Sequence, residues 1–292
     1  MAETYYPFDP NTRKPAVTLP PNACDCQFHV LGPREKYPVQ PNAGFEMPTA
    51  TFAEAKKMHK ALGIARGLIV QATTYGLDHA CMIDALAESG PSYKGCAIGM
   101  VLAQKNNDAY IAKMNDARVC AGRFNLLPQL NMVPSPEQFK TIFARLRELK
   151  WFAKIQSPMT GIMDTVHLYE HIEDIPIVID HLGRFPISEG LESPTVKKIV
   201  ELLKRDNFWV MLSNGHKISK AGKPWADIVP FVRKYIEAAP DRVIWSSDWP
   251  HPLSKTPPPN DGDLVDLLAG YTINDEELKK ILVDNPAKLI GF

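Results

Sequence analysis

The chain has 292 residues, 45% of them hydrophobic and 23% charged, and its 33 lysines plus arginines balance 33 aspartates plus glutamates. That balance excludes a global field that would draw nucleic acid or an anionic membrane, so an acidic ligand has to be captured locally. No apolar run is long enough to span a bilayer, the first twenty residues lack the apolar core of a signal peptide, and five cysteines, an odd number, fit a reducing cytosol and a cytoplasmic protein.

Residues 1–20, with Pro7, Asp9, Pro10, Arg13, Lys14 and Pro15, read as an extension ahead of one domain at 21–292. An apolar run at 23–30 predicts the first strand, on which Cys24 and Cys26 face the same way as small buried residues. A helix comes next at 51–62, where Thr51 precedes Glu54 in a capping pattern. Strands at 67–71, 95–102, 119–126, 151–156, 176–181, 208–213 and 242–246 then alternate with helices at 78–88, 107–116, 136–149, 163–171, 195–204 and 226–238. A last helix is expected at 274–289, and the Pro257–Pro259 run before it reads as an ordered surface loop. Eight strand–helix units in one chain predict an α/β protein, a (β/α)8 TIM barrel. A doubly wound open sheet is disfavoured because no Gly-rich phosphate loop succeeds the first strand.

A parallel barrel carries its active site at the carboxyl ends of its strands. The polar residues closing apolar runs are His29, then Gln71 and Thr73, Arg123 and Asn125, Lys154 and Gln156, His181, Ser213 and Asn214, and Asp248. Barrel hydrolases that bind divalent metals use Asp-x-His-x-His, a later His and a final Asp. Here Asp25-Cys26-Gln27-Phe28-His29 puts an amide in the first histidine's place, and an amide is a poor zinc ligand. No metal cofactor is therefore expected; one zinc on His29, His181 and Asp248 is the alternative. Asp248, beside Trp249, is expected to be partly desolvated, with a raised pKa, and to take a proton from water. His29, His181 and Gln27 are expected to donate to a carbonyl oxygen as it becomes an oxyanion. The Arg123 guanidinium suits a carboxylate or sulfonate, and Lys217 with His216 offers a second positive group. Tyr75 and Phe45 lie on loops where they either cover a bound ring or pack in the core, and His251 orients a loop or a ring. Asp25 and Asp180 are expected to anchor strands or cap helices. Lys154 either joins the site or points to the helix layer with its tip snorkelling.

Taken together, Ala23-Cys24-Asp25-Cys26-Gln27-Phe28-His29-Val30-Leu31-Gly32-Pro33, Leu68-Ile69-Val70-Gln71-Ala72, Gly122-Arg123-Phe124-Asn125, Val178-Ile179-Asp180-His181-Leu182-Gly183-Arg184 and Ile244-Trp245-Ser246-Ser247-Asp248-Trp249-Pro250-His251-Pro252 resemble the lactone-acting branch of the amidohydrolase superfamily. That branch holds the 2-pyrone-4,6-dicarboxylate lactonases, the sulfomuconolactone hydrolases and galactarolactone isomerase. The likeness runs from about residue 20 to the C-terminus. It implies a distorted (β/α)8 barrel and, for the lactonases, metal-free catalysis in which Asp248 activates water while His29 and His181 polarise the lactone carbonyl. Arg123 matches an arginine that holds a substrate carboxylate, and Thr73 matches a serine lining that site. Four positions depart from the pattern: Gln27 replaces a histidine, Gln129 an arginine, Gln156 a tyrosine, and Lys217 stands near a further arginine. The pyrone dicarboxylate itself is thus not the expected substrate. The expected partner is a small acidic lactone with one acid group (muconolactone-, sulfomuconolactone- or pyrone-carboxylate-like), with a homo-oligomer left open. The isomerase branch also carries glutamine at the first histidine, so migration within a sugar-acid lactone is the leading alternative. A zinc-dependent amidohydrolase or decarboxylase and a non-enzymatic ligand-binding barrel are the others.

Overall fold

A computed structural model describes residues 5–41, 47–127 and 132–292. Strands β1 (Cys24–Phe28), β2 (Arg66–Val70), β3 (Tyr93–Ile98), β4 (Val119–Asn125), β5 (Phe152–Gln156), β6 (Ile177–Ile179), β7 (Phe208–Leu212) and β8 (Val243–Trp245) form one parallel sheet in sequential order. The β1–β8 seam closes the barrel through Asp248 N–H to the Gln27 carbonyl (3.1 Å) and His29 N–H to the Trp249 carbonyl (2.7 Å). All eight expected strands are present, and the expected barrel is the fold.

The helices are α1 (Phe52–Leu62), α2 (Ala80–Ser89), α3 (Asp108–Asp116), α4 (Pro136–Leu149), α5 (Pro194–Leu203), α6 (Gly215–Ile218), α7 (Val229–Ala238), α8 (Asp261–Tyr271) and α9 (Asp275–Lys279). Thr51 caps α1 as expected: its hydroxyl accepts from Glu54 N–H while the Glu54 carboxylate accepts from Thr51 N–H. Two expectations fail. The segment 163–171 is not a helix but a turn at Val166–Leu168. Ile162, Val166, Tyr169 and Ile172 are buried at helical spacing, yet irregular turns bury that same face, and the β-branched residues among them favour no continuous helix. The chain at 261–271, outside every expected element, forms α8, capped by Asn260 accepting from Gly262 N–H (3.1 Å) and burying Leu264, Val265 and Leu268. After α9 the helix continues in wider turns at Lys280–Asp284 and Ala287–Gly291.

Inward-pointing side chains fill the base of the barrel, among them Cys26, Leu68, Cys96, Phe152, Trp209 and Ile244, all buried. The Cys24 and Cys26 sulfurs lie side by side, 3.9 Å apart, in this layer, as their spacing predicts. Burial raises the Cys24 thiol pKa, which suits an inert packing role. The outward faces of the strands pack on the helices. Along the mouth runs the N-terminal segment, whose Phe8 ring meets Trp249 at 4.6 Å. No helix among the described residues is long and apolar enough to cross a membrane.

Candidate active site

The site begins with an irregularity in β1. Its register against β2 shifts between Asp25 and Phe28, a bulge that adds one residue and reverses the facing of the residues beyond it. Asp25 and Gln27 would otherwise point the same way. Instead Asp25 turns outward to His59 of α1 (3.2 Å), while Gln27 and His29 turn into the mouth. Asp25 is the strand anchor expected of it. Its Oδ1 accepts from Gln27 N–H and Ser247 N–H, both at 3.1 Å, and its Oδ2 takes the Ser247 hydroxyl. With Ser247 pinned, Asp248 adopts a left-handed backbone (φ 58°) and swings its carboxylate, 4% exposed, into the barrel.

Four groups hold that carboxylate. Gln27 Nε2 donates to Oδ1 at 2.9 Å and His29 Nε2 lies 3.4 Å from the same oxygen. Asn214 Nδ2 donates to Oδ2 at 2.8 Å, and the Lys217 ammonium stands 3.7 Å from it. Burial pushes the Asp248 carboxyl up, but the imidazoles of His181 and His29 and the Lys217 ammonium hold it well below the usual carboxylate range. The expected upward shift is therefore overturned: desolvation beside Trp249 is real, and the surrounding positive groups outweigh it.

His181 departs from its expected role as well. Its Nε2 lies 3.2 Å from both Arg123 Nη2 and Gln27 Nε2, groups that only donate, so this nitrogen is a lone-pair acceptor. The proton sits on Nδ1, shared with Ser213 Oγ at 2.7 Å, with Asn214 Nδ2 3.0 Å away. Burial draws the His181 pKa down to about 3 despite Asp248 and Asp180 nearby. A neutral His181 orients Arg123 and Gln27 and does not donate from Nε2 to a carbonyl. At neutral pH, then, His29, Lys217 and the two amides keep Asp248 ionised. His29 Nδ1 donates to the Val70 carbonyl at 2.9 Å, which fixes its ring.

Beneath lies an ion network whose facing the sequence does not reveal. Arg123 Nε reaches Asp180 Oδ2 at 2.8 Å and Lys154 Nζ reaches Asp180 Oδ1 at 2.9 Å, all three side chains at most 4% exposed. Lys154 therefore points inward and does not snorkel. Strand alternation puts Asp180 and His181 on opposite faces, but β6 ends at Ile179 and the turn at His181 (φ 53°) brings both inside. Burial pushes the Asp180 carboxyl up, and Lys154 and Arg123 more than reverse this, to about 2.

The remaining expectations divide. Thr73 Oγ1 accepts from Asn125 Nδ2 at 3.0 Å, and Gln156 ends β5 in register with Asn125, so the three stand together at the mouth. Tyr75 is buried beside Gly32 and Cys81 and packs in the wall, not over the mouth. His251 is fully buried with Nε2 on Asp261 Oδ1 of α8 at 3.0 Å, so it pins the loop after Asp248. Phe45 and Gln129 lie outside the described residues. Lys217 sits on α6, a four-residue helical turn where the sequence suggests a loop.

Two residues of the site, Asn214 and Arg184, stand among the strand-end residues and sequence motifs without a role assigned to them. Asn214, left-handed at φ 56°, opens α6 and grips Asp248; its signal is an asparagine directly after an apolar strand. Arg184 (φ 52°) contacts the Ser157 carbonyl at 3.4 Å, and its pKa is lowered by burial and by the Arg123 charge.

Zinc does not fit these groups. Among the described residues no three His, Cys, Asp or Glu side chains are placed to hold a metal ion. The Nε2 of His181 already faces two N–H donors, one of them on the Arg123 cation, and the Lys217 ammonium stands 3.7 Å from Asp248 Oδ2.

The amidohydrolase family model matches residues 24–292. The 4-sulfomuconolactone hydrolase of Hydrogenophaga intermedia is 33% identical over 280 residues, 94% of this chain and 90% of that protein. The 2-pyrone-4,6-dicarboxylate hydrolase of Comamonas testosteroni is 32% identical over 290 residues, covering 96% and 93%. A crystal structure from Agrobacterium tumefaciens superposes with a TM-score of 0.83 at 24% identity, covering 95% of this chain and 98% of that one, and so has the same fold. The motifs, the barrel and these relatives agree, and the chain belongs to the amidohydrolase family.

Proposed function

We propose that this protein hydrolyses a small lactone bearing an acid group, of muconolactone or sulfomuconolactone type, without a metal cofactor. The observation that carries the reading is a buried, ionised Asp248 at the barrel mouth with His29, Arg123 and Lys217 gathered round it. Asp248 takes a proton from water, and the water oxygen adds to the lactone carbonyl carbon as the C=O electron pair moves onto oxygen. His29 is the imidazole donor to that oxyanion, while His181 acts through the Arg123 and Gln27 it orients. When the oxyanion collapses, the acyl–oxygen bond of the ring breaks and the departing oxygen takes up a proton, giving a ring-opened hydroxy acid. Arg123 keeps N–H groups beyond those spent on Asp180 and His181, and with Lys217 it supplies the positive charge that an acidic lactone needs.

Asp248→Asn should stay folded and lose about 10²–10⁴-fold in turnover, the usual contribution of a general base. Near-full activity in that variant would remove Asp248 from the role. In oxygen-18 water the product acid should carry the label; an unlabelled, isomerised lactone would mean that a substrate hydroxyl attacks instead. A stoichiometric metal in the purified protein whose removal abolishes turnover would defeat the metal-free reading.

A further inference from the structure

The Asp248 carboxylate, as it stands, is ringed by four nitrogen groups, and one of them is free to move. A carboxylate presents about four lone-pair directions. Gln27 Nε2 donates to Oδ1 and Asn214 Nδ2 to Oδ2, while His29 Nε2 stands 3.4 Å from Oδ1 and Lys217 Nζ 3.7 Å from Oδ2. Three of the four partners are fixed in place. Gln27 and His29 are buried at the end of β1, His29 with its other nitrogen on Val70, and Asn214 is set by its left-handed backbone. Lys217 differs. Its side chain is 30% exposed on a flexible stem, and at 3.7 Å its ammonium is held by charge, beyond hydrogen-bond reach. Burial lowers its pKa, Asp248 raises it and Arg184 lowers it again, so a second anion nearby would be welcome.

We infer that Lys217 latches the base and that the substrate's own acid group releases it: a bound carboxylate or sulfonate draws the Lys217 ammonium to itself and takes away the positive charge that stands beside Asp248 Oδ2. The inference rests on the lactone reading. It adds no bond change to the hydrolysis, since the water proton goes to Asp248 in either case. The other groups facing Asp248 are His29 and Gln27 from β1, His181 and Arg184 from the turn after β6, and Asn214 and His216 from α6. Release removes one positive neighbour from this set and so strengthens the base at the moment a correct substrate arrives. An uncharged lactone enters but meets a base still held back by the ammonium charge. Lys217 thereby reads substrate charge as turnover as well as affinity.

The test compares wild type with Lys217→Met, and with Lys217→Gln as a second variant should the first fail to fold. The probes are a sulfonated muconolactone, which stays ionised throughout, and muconolactone methyl ester, which lacks the acid. For wild type on the sulfonated probe, the acid limb of kcat should lie about 1–3 pH units above that of kcat/KM, the shift that one close opposite charge produces. In Lys217→Met the two limbs should coincide, and kcat on the methyl ester should rise several-fold, up to about tenfold, when the latch is gone. A lysine that merely binds the anion gives a higher KM with kcat, both limbs and the methyl ester rate unmoved, and that result overturns the latch. Wild type that hydrolyses lactones with coincident limbs sinks the latch alone; wild type that turns over no lactone sinks the lactone reading and the latch with it.

Discussion

On three adjacent strands the barrel interior changes character within two residues. Ala121 of β4, Phe152 of β5 and Val178 of β6 pack the base; one pleat further along the same strands stand Arg123, Lys154 and Asp180. The lower layer stabilises by removing apolar surface from water. The upper layer is just as buried and is tolerable because each charge meets its partner; desolvating two cations and a carboxylate is unfavourable otherwise. The same scaffold thus sets a stabilising floor directly beneath a functional tier, and that tier fixes the Arg123 fork in one orientation.

The contrast can be broken most sharply at its centre. Asp180→Ala leaves Lys154 and Arg123 buried without a carboxylate and should cost about 3–5 kcal/mol, measured as a fall in the urea midpoint. A loss below about 1 kcal/mol would mean that the pairing does not hold the tier together.

Acid sharpens the comparison next. His181, lowered to about 3, and His79, lowered to about 4 by burial, are neutral in the fold and ordinary imidazoles once unfolded. Between those folded values and the unfolded value near 6.5 the unfolded chain binds protons that the native one does not, so stability falls as pH drops. Roughly 3 kcal/mol per histidine should disappear between pH 6.5 and 4. Asp180, lowered to about 2, adds its loss only below about pH 4. His216, also lowered by burial, adds to the same loss, so His181→Gln should remove about a third of the slope between pH 6.5 and 4, and an unchanged slope would contradict the neutral assignment.

The smallest effect belongs to the floor. Ile244→Val should cost about 0.5–1.5 kcal/mol and leave kcat and its pH profile unchanged, because that layer carries no charge to the site. A shift in the pH profile would show that the two layers are mechanically coupled.

The strands are legible because a strand buried on both faces is a run of apolar β-branched residues, and such runs recur eight times. Positions of site residues at strand ends emerge from the same count: His29, Arg123, His181 and Asp248 do meet at one mouth. Side-chain direction is harder to read. A bulge in β1 separates Asp25 from Gln27, and β6 stops one residue short of Asp180; no periodicity announces either event. Charge balance is the least accessible. A raised Asp248 pKa is what burial alone predicts, and only the assembled fold brings Lys217 and His29 close enough to reverse it. The segment 163–171 teaches the opposite lesson: its apolar spacing does mark a buried face, but turns satisfy that spacing without a helix.

The backbone round the mouth has a consequence for how this protein can change. His181, Leu182, Arg184, Asn214, Asp248 and His251 all have left-handed backbones, a region that β-branched side chains resist and that asparagine and aspartate tolerate best. Mutational drift at those positions is confined to a narrow chemical alphabet, whatever ligand selection favours. Thr73, Gln156 and Lys217 sit on ordinary helical or extended backbone and face no such filter. Substitution is therefore freer at those three places than at the left-handed ones.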